Sequence, residues 1–109
     1  MKNIKTLSSR PHDAVVVELL KEDPDFASVY LAAALEESDQ PGGQQALLFA
    51  LRHVAEAQGM AAVAQRAGIP RESLYRALSA SSNPTIKTLL AVLGAAGLQL
   101  TVTRPHQAA

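Results

Sequence analysis

The chain has 109 residues and no cysteine, and 48% of its residues are hydrophobic. This length predicts one domain, and the lack of cysteine excludes a disulfide scaffold and a thiolate metal site. Only 4% of the residues are aromatic, so Ala, Leu and Val must fill most of the core, which favours packed helices over a large sheet. No segment offers the roughly 18 apolar residues of a membrane span, and the N-terminus lacks a secretion signal.

Charge is distributed unevenly, although ten basic and ten acidic residues cancel overall. Residues 11–41 contain eight acidic residues and one lysine, a net charge of −7, whereas residues 42–109 contain six basic and two acidic residues, a net charge of +4. The asymmetry favours two partners of opposite charge. The alternative is that these charges only keep the surface solvated.

The predicted elements start with a polar N-terminal arm over residues 1–10, which includes a weak strand candidate at residues 4–7. A helical domain over residues 11–97 follows, and its first helix begins at Pro11, where proline is tolerated in a first turn. The predicted inner positions of this helix are Ala14, Val17 and Leu20. A short strand is an alternative for the run of valines at residues 15–17.

Caps, glycines and apolar spacing predict five more helices. Asp23-Pro24-Asp25 starts the second, which ends near Ser38, and the third ends at Gly59. The fourth and fifth are short and cover residues 60–67 and 71–79. The sixth begins at Pro84 or Thr85 and stops at the glycines 94 and 97, with an apolar face of Ile86, Leu89, Leu90 and Leu93.

A C-terminal strand is predicted over residues 98–104, because Leu98, Leu100 and Val102 alternate with polar residues. A lone strand needs a partner for its backbone groups. That partner is either a second copy of the chain, which makes the strand a dimerisation element, or the segment at residues 4–7.

Residues 60–79 have the pattern of a helix-turn-helix, in which two short helices share a small core across a tight turn and the second enters the DNA major groove. A purely structural helical hairpin is the alternative. Gly68 allows the turn because it can adopt a positive φ, and Ala64 permits close approach of the two helices. The predicted core residues are Val63, Ala64, Gly68, Ile69, Leu74 and Ala77.

The outward residues of the second helix are suited to reading DNA bases, because Arg donates to guanine and Glu accepts from cytosine. These predicted base-facing residues are Arg71, Glu72, Ser73, Tyr75 and Arg76. Flanking residues that could hold phosphate are Gln65, Arg66, Thr85 and Lys87.

No catalytic or metal site is predicted. His12, His53 and His106 lack the spacing of metal ligands and are expected at the surface. A phosphate-binding glycine loop and a nucleophile elbow are both missing from the sequence. We therefore expect no enzyme activity and no cofactor.

The sequence resembles the addiction-module antidote family, small HigA-like antitoxins with a lambda-repressor-like DNA-binding domain of the Xre/Cro type. The resemblance covers residues 10–103 and rests on these segments: DPDFASVYLAAALEESD, ALLFALRHVAEAQGMAAVAQRAGI, RESLYRALSASSNPTIKTLLAVL and GLQLTV. It implies a mainly α fold and a cytoplasmic bacterial protein that neutralises a RelE-like toxin and binds its own operator DNA as a homodimer. It also implies base reading by Arg71, Glu72 and Arg76. Pro70 departs from the Ser or Thr that is common in the family at this position.

The resemblance gives the acidic half of the chain a candidate partner, since a RelE-like toxin is expected to be basic. The acidic residues predicted to bind it are Asp23, Asp25, Glu36, Glu37 and Asp39. Two other functions stay open at this point: a transcription regulator without a toxin, and a helical adaptor that binds only protein.

Overall fold

The computed structural model describes the backbone of residues 4–105 and the side chains of residues 13–105. It contains six helices: α1 (Ile4–Glu22), α2 (Phe26–Glu36), α3 (Gly43–Gln58), α4 (Met60–Ala67), α5 (Arg71–Ala77) and α6 (Ile86–Ala95). The described residues include no strand, and none of their helices is long and apolar enough to cross a membrane. The expectation of a mainly α fold is confirmed.

The core forms where α3 meets its neighbours. One side of the fold is made by α1 and α2, which both pack on α3, and α4 joins α3 to α5 and α6. The largest fully buried side chains are Val54 on α3, Val63 on α4, Leu74 on α5, Val92 on α6 and Leu78 just after α5. Complete burial of such a side chain contributes roughly 1.5–3 kcal/mol, so these few residues anchor α3, α4, α5 and α6 to one another.

The first helix differs from the prediction at its start and on its inner face. It begins at Ile4, so the weak strand candidate at residues 4–7 is wrong, and Pro11 lies within the helix. Residues 4–10 of the predicted arm are helical, and its residues 1–3 lie outside the described part of the chain. Extension of an existing helix adds one backbone hydrogen bond per ordered residue, which a lone strand does not gain. Val16 and Leu20 are buried, while Ala14 is exposed and Val17 is half-buried, so the inner face is rotated from the predicted one.

The predicted C-terminal strand is absent, because residues 98–105 form neither helix nor strand. Leu100 is 46% exposed and Val102 is 94% exposed, so the three alternating apolar residues do not share a buried face. The segment that was to pair with them within the chain, residues 4–7, is helical. An extended segment without a partner strand cannot form a ladder.

The half-buried position of Leu98 follows from the end of α6. Gly97 has φ 83°, and the Leu98 N–H then donates to the Leu93 carbonyl at 2.8 Å. This bond closes the helix and folds the next apolar residue back onto it. Leu98 therefore packs against the core as part of a helix end.

The start of α6 is as predicted, whereas only two of the four residues of its predicted apolar face, Leu89 and Leu93, pack in the core. Thr85 caps the helix, and its Oγ1 accepts a hydrogen bond from the Thr88 N–H at 3.1 Å. The buried residues are Val92, Leu93 and Ala95, and Leu89 is half-buried. Ile86 is 73% exposed and Leu90 is 48% exposed, since the buried residues of α6 lie in its C-terminal half.

A partly buried hydrogen-bonded chain links α1, α2 and α3. His53 is 6% exposed, so its expected surface location is wrong. In the neutral imidazole, Nε2–H donates to Asp13 Oδ1 at 3.0 Å and Nδ1 accepts from the Tyr30 hydroxyl at 2.7 Å. Both ring nitrogens thus have partners, which makes burial of the histidine tolerable.

Replacing Tyr30 by phenylalanine should make the protein less sensitive to alkaline pH. Burial, and secondarily the Asp13 carboxylate, raises the pKa of the Tyr30 phenol above its ordinary value of 10.0. The folded state therefore disfavours the phenolate, and the stability that the neutral phenol provides is present below pH 10 and lost as the pH rises through the raised pKa. Urea unfolding from about pH 8 to about pH 11 measures this loss.

Tyr75→Phe is the matched control for this experiment, because it leaves Tyr30 in place. The control should lose stability at alkaline pH as the parent does, while Tyr30→Phe should lose less. Equal losses in all three proteins would contradict the role given to Tyr30.

Candidate nucleic-acid interface

The turn between α4 and α5 is set by Gly68. This residue has φ 75°, a conformation that a side chain disfavours. The Gly68 N–H donates to the Gln65 carbonyl at 3.2 Å, and the Ile69 N–H donates to the Ala64 carbonyl at 3.1 Å. These two bonds close α4 and let α5 start three residues later.

The α4–α5 hairpin has its own buried contacts. Val63 and Leu74 have 0% exposure and Ala64 has 1%, so the predicted centre of the hairpin is buried. Ile69 and Ala77 are half-buried. Leu78, which the sequence pattern did not single out, is also fully buried just after α5.

The start of α5 lacks a side-chain cap. Pro70 occupies the N-cap position in an extended conformation, with φ −63° and ψ 149°, and makes no side-chain hydrogen bond there. The backbone still supports the helix, because the Leu74 N–H donates to the Pro70 carbonyl at 3.1 Å. The proline therefore leaves N–H groups at the start of α5 without an internal side-chain acceptor.

The surface of α5 carries the predicted base-facing side chains. Arg71, Glu72 and Arg76 are exposed, and Ser73 and Tyr75 are half-buried beside them. The Arg76 Nη2 donates to Ser73 Oγ at 3.3 Å. The helix thus presents two guanidinium groups and one carboxylate to solvent.

The ring of Tyr75 on α5 lies near two arginines, Arg71 of α5 itself and Arg52 of α3. The Arg71 Cζ lies 5.7 Å from the centre of the Tyr75 ring, and the Arg52 Cζ lies 5.4 Å from the same point. Arg52 also donates from Nε to Glu56 Oε2 at 3.1 Å. Sequence reasoning missed Arg52, and its only signal was a basic residue in the basic half of the chain.

The predicted flanking residues do not lie together. Arg66 donates to the Ala95 carbonyl and to Gln58 Oε1, both at 2.8 Å, so its guanidinium holds the C-terminal end of α6. Thr85 and Lys87 are exposed at the opposite end of α6, about 15 Å away for a helix of ten residues. Gln65 is exposed on α4.

The predicted toxin-binding acids form two groups rather than one. Asp23 and Asp25 precede α2, whereas Glu36, Glu37 and Asp39 lie at its other end. All five are exposed. Because α2 has 11 residues, the two groups are separated by about 16 Å along its axis.

In the part of the chain that the structure describes, no group of three or more His, Cys, Asp or Glu residues could hold a metal ion. The buried His53 takes part in the hydrogen-bonded chain with Asp13 and Tyr30.

Comparisons with known proteins identify the family. Residues 12–104 match the model of a family described as "Probable addiction module antidote protein". A protein of Haemophilus influenzae, described as "Uncharacterized protein", is 38% identical over 90 residues, which cover 83% of this chain and 88% of that relative. No solved structure matches the chain. Because the family match spans all six helices except the first two turns of α1, the chain belongs to the addiction-module antidote protein family.

Proposed function

We propose that the protein is a DNA-binding antitoxin of a type II toxin–antitoxin module, which neutralises a RelE-like toxin and represses its own operon. Membership of the antidote family supports an antitoxin role. The observation that carries the DNA-binding half is the α4–α5 hairpin, whose second helix exposes Arg71, Glu72 and Arg76. Its buried core and tight turn are what a helix-turn-helix requires.

In this proposal α5 lies in the major groove of the operator. An arginine can donate two hydrogen bonds to guanine O6 and N7, and a glutamate can accept from cytosine N4. Arg71, Arg76 and Glu72 supply these groups, with Ser73 and Tyr75 beside them. Thr85 and Lys87 contact phosphate at the N-terminal end of α6, where the helix dipole is positive, and Gln65 does so from α4. Arg66 is left out, since its guanidinium is occupied at the other end of α6.

The operator is bound by a homodimer in this proposal. Helix-turn-helix dimers place two reading helices about 34 Å apart, so that each reads one half of a palindrome. Support comes from the segment after α6, where Leu100 and Val102 are exposed and would leave water on contact with a second copy.

The toxin meets the acidic surface around α2. Residues 11–41 carry a net charge of −7, and a toxin that acts on RNA needs a basic surface. The two acidic groups at the ends of α2 are far enough apart to contact separate basic patches. Such peripheral charges mainly accelerate association, while buried contacts set the lifetime of the complex.

Co-expression with the product of the neighbouring gene tests the antitoxin role. We expect the two proteins to co-purify and the antidote to restore growth of cells that make the toxin.

Replacement of the acids in either group by their amides tests the acidic surface. The variant without the charges of Asp23 and Asp25, and the variant without those of Glu36, Glu37 and Asp39, should each associate with the toxin more slowly and with a weaker dependence on salt. Glu72→Gln is the control, because it removes an exposed acid on α5. Unchanged association rates in both acidic variants would assign these acids to an ordinary solvated surface.

A further inference from the structure

An arginine outside the α4–α5 hairpin lies against its second helix. Arg52 belongs to the middle of α3, yet its guanidinium carbon is 5.4 Å from the centre of the Tyr75 ring on α5. Arg71 approaches the same ring to 5.7 Å. The two guanidinium carbons are therefore at most about 11 Å apart, an upper limit that is close to the screening length of about 10 Å at 0.1 M salt.

Two cations near one aromatic ring repel each other in the free protein. The ring attracts both guanidinium groups, and Glu56 compensates the charge of Arg52 from the next turn of α3. The Arg52 side chain keeps 36% exposure, so a further anion can reach it. A phosphate at this point would reduce the repulsion between the two arginines. It could accept hydrogen bonds from N–H groups of Arg52 that do not donate to Glu56, because a guanidinium has five N–H groups.

The position of Arg52 suits the edge of a DNA groove. A helix with its side chains is about 10–12 Å wide, and the major groove is about 12 Å wide, so a helix in the groove fills it from wall to wall. The half-buried ring of Tyr75 lies at the side of α5 that faces α3. A cation held against that side meets the wall of the groove, where the phosphates are.

We propose that Arg52 contacts a DNA phosphate beside α5, as a contact from α3 that adds affinity without reading sequence. This inference rests on the proposed binding of DNA by α5. A phosphate contact releases counterions, so it has a signature that a structural role lacks: it makes affinity depend more steeply on salt.

The test compares Arg52→Gln, Arg52→Lys and the parent on two DNA duplexes, one spanning the promoter of its own operon and one of the same composition in scrambled order. Dissociation constants are measured from about 50 to about 200 mM salt. We expect Arg52→Gln to weaken binding to both duplexes by the same factor and to lower the slope of log affinity against log salt by about 0.9. Arg52→Lys should keep the slope, because it keeps the charge. Lys21→Gln, an equal charge change on α1, should leave slope and affinity unchanged.

Three outcomes would overturn the inference, and they can be told apart. If Arg52→Gln keeps the salt slope of the parent protein, Arg52 makes no phosphate contact, and the proposed function is unaffected. A loss confined to the promoter duplex would mean that Arg52 only supports the position of α5. If the parent binds neither duplex, both the inference and the DNA-binding half of the proposed function fail. Urea unfolding of each variant shows whether it is folded under the assay conditions.

Discussion

Replacing Leu74 by alanine is expected to cost about 2–5 kcal/mol of folding free energy. Leu74 has 0% exposure and lies at the centre of α5, in the same buried cluster as Val63 and Leu78. Truncation leaves a cavity where α5 packs, and α5 has only seven residues with which to hold itself in place. Because a domain of this size has roughly 5–15 kcal/mol of stability in total, the variant should also lose operator binding as α5 detaches.

Leu90→Ala is the matched control for this substitution. Leu90 is 48% exposed on α6, so the same truncation should cost less than about 1 kcal/mol. Urea unfolding gives both free energies. A cost below 1 kcal/mol for Leu74→Ala, or equal costs for the two variants, would contradict the packing described for α5.

Alanine at Arg71 or at Arg76 should each weaken operator binding by about 1–3 kcal/mol, which is roughly a 5- to 150-fold loss of affinity. Both side chains are exposed in the free protein, and each has a contact that limits its freedom: Arg71 with the Tyr75 ring and Arg76 with Ser73 Oγ. In the proposed complex, these contacts hold the guanidinium groups on the face of α5 that enters the groove. The loss should be largest for the preferred sequence, because base contacts carry specificity.

Two control variants, Lys87→Ala and Lys21→Ala, distinguish the loss of a base contact from a general effect of lost positive charge on DNA affinity. Lys87 lies at the start of α6, and its removal should weaken binding to every sequence alike. Lys21 is on α1, paired with Glu18, and its removal should change nothing. Parental affinity in both Arg71→Ala and Arg76→Ala would refute base reading by α5.

Much of the helical architecture could be predicted from local signals. Thr85 caps α6, and Gly68 ends α4 with a positive φ, because both signals act within one turn of the chain. The failures concern contacts that no local pattern encodes. Which face of α6 is buried depends on where α4 lies, so the exposed Ile86 and Leu90 could not be recognised from spacing alone.

The C-terminal segment shows how a period of two can mislead. Leu98, Leu100 and Val102 alternate as in a strand, but a strand needs a neighbour, and the described residues of the chain offer none. Leu98 is instead folded back by the end of α6. The alternating residues instead belong to a helix end followed by a segment that is neither helix nor strand.

The candidate site could be predicted only in part, because some of its residues are neighbours in sequence and others meet only in the folded chain. Arg71, Glu72 and Arg76 are neighbours on one helix, so their common exposure follows from the sequence. Arg52 lies 23 residues before Tyr75, and only the folded chain brings its side chain to the Tyr75 ring. His53 likewise needs Asp13 and Tyr30 from two other helices before its burial can be understood.

The most direct test of DNA reading by α5 is a methylation-interference measurement on the promoter duplex. Guanine N7 lies in the major groove and is the atom to which an arginine donates, so a methyl group there blocks the contact. We expect methylation of guanines in two half-sites, centred about 34 Å apart and related by two-fold symmetry, to abolish binding by the parent protein. Binding that tolerates N7 methylation at every guanine of the duplex would contradict the placement of α5 in the major groove.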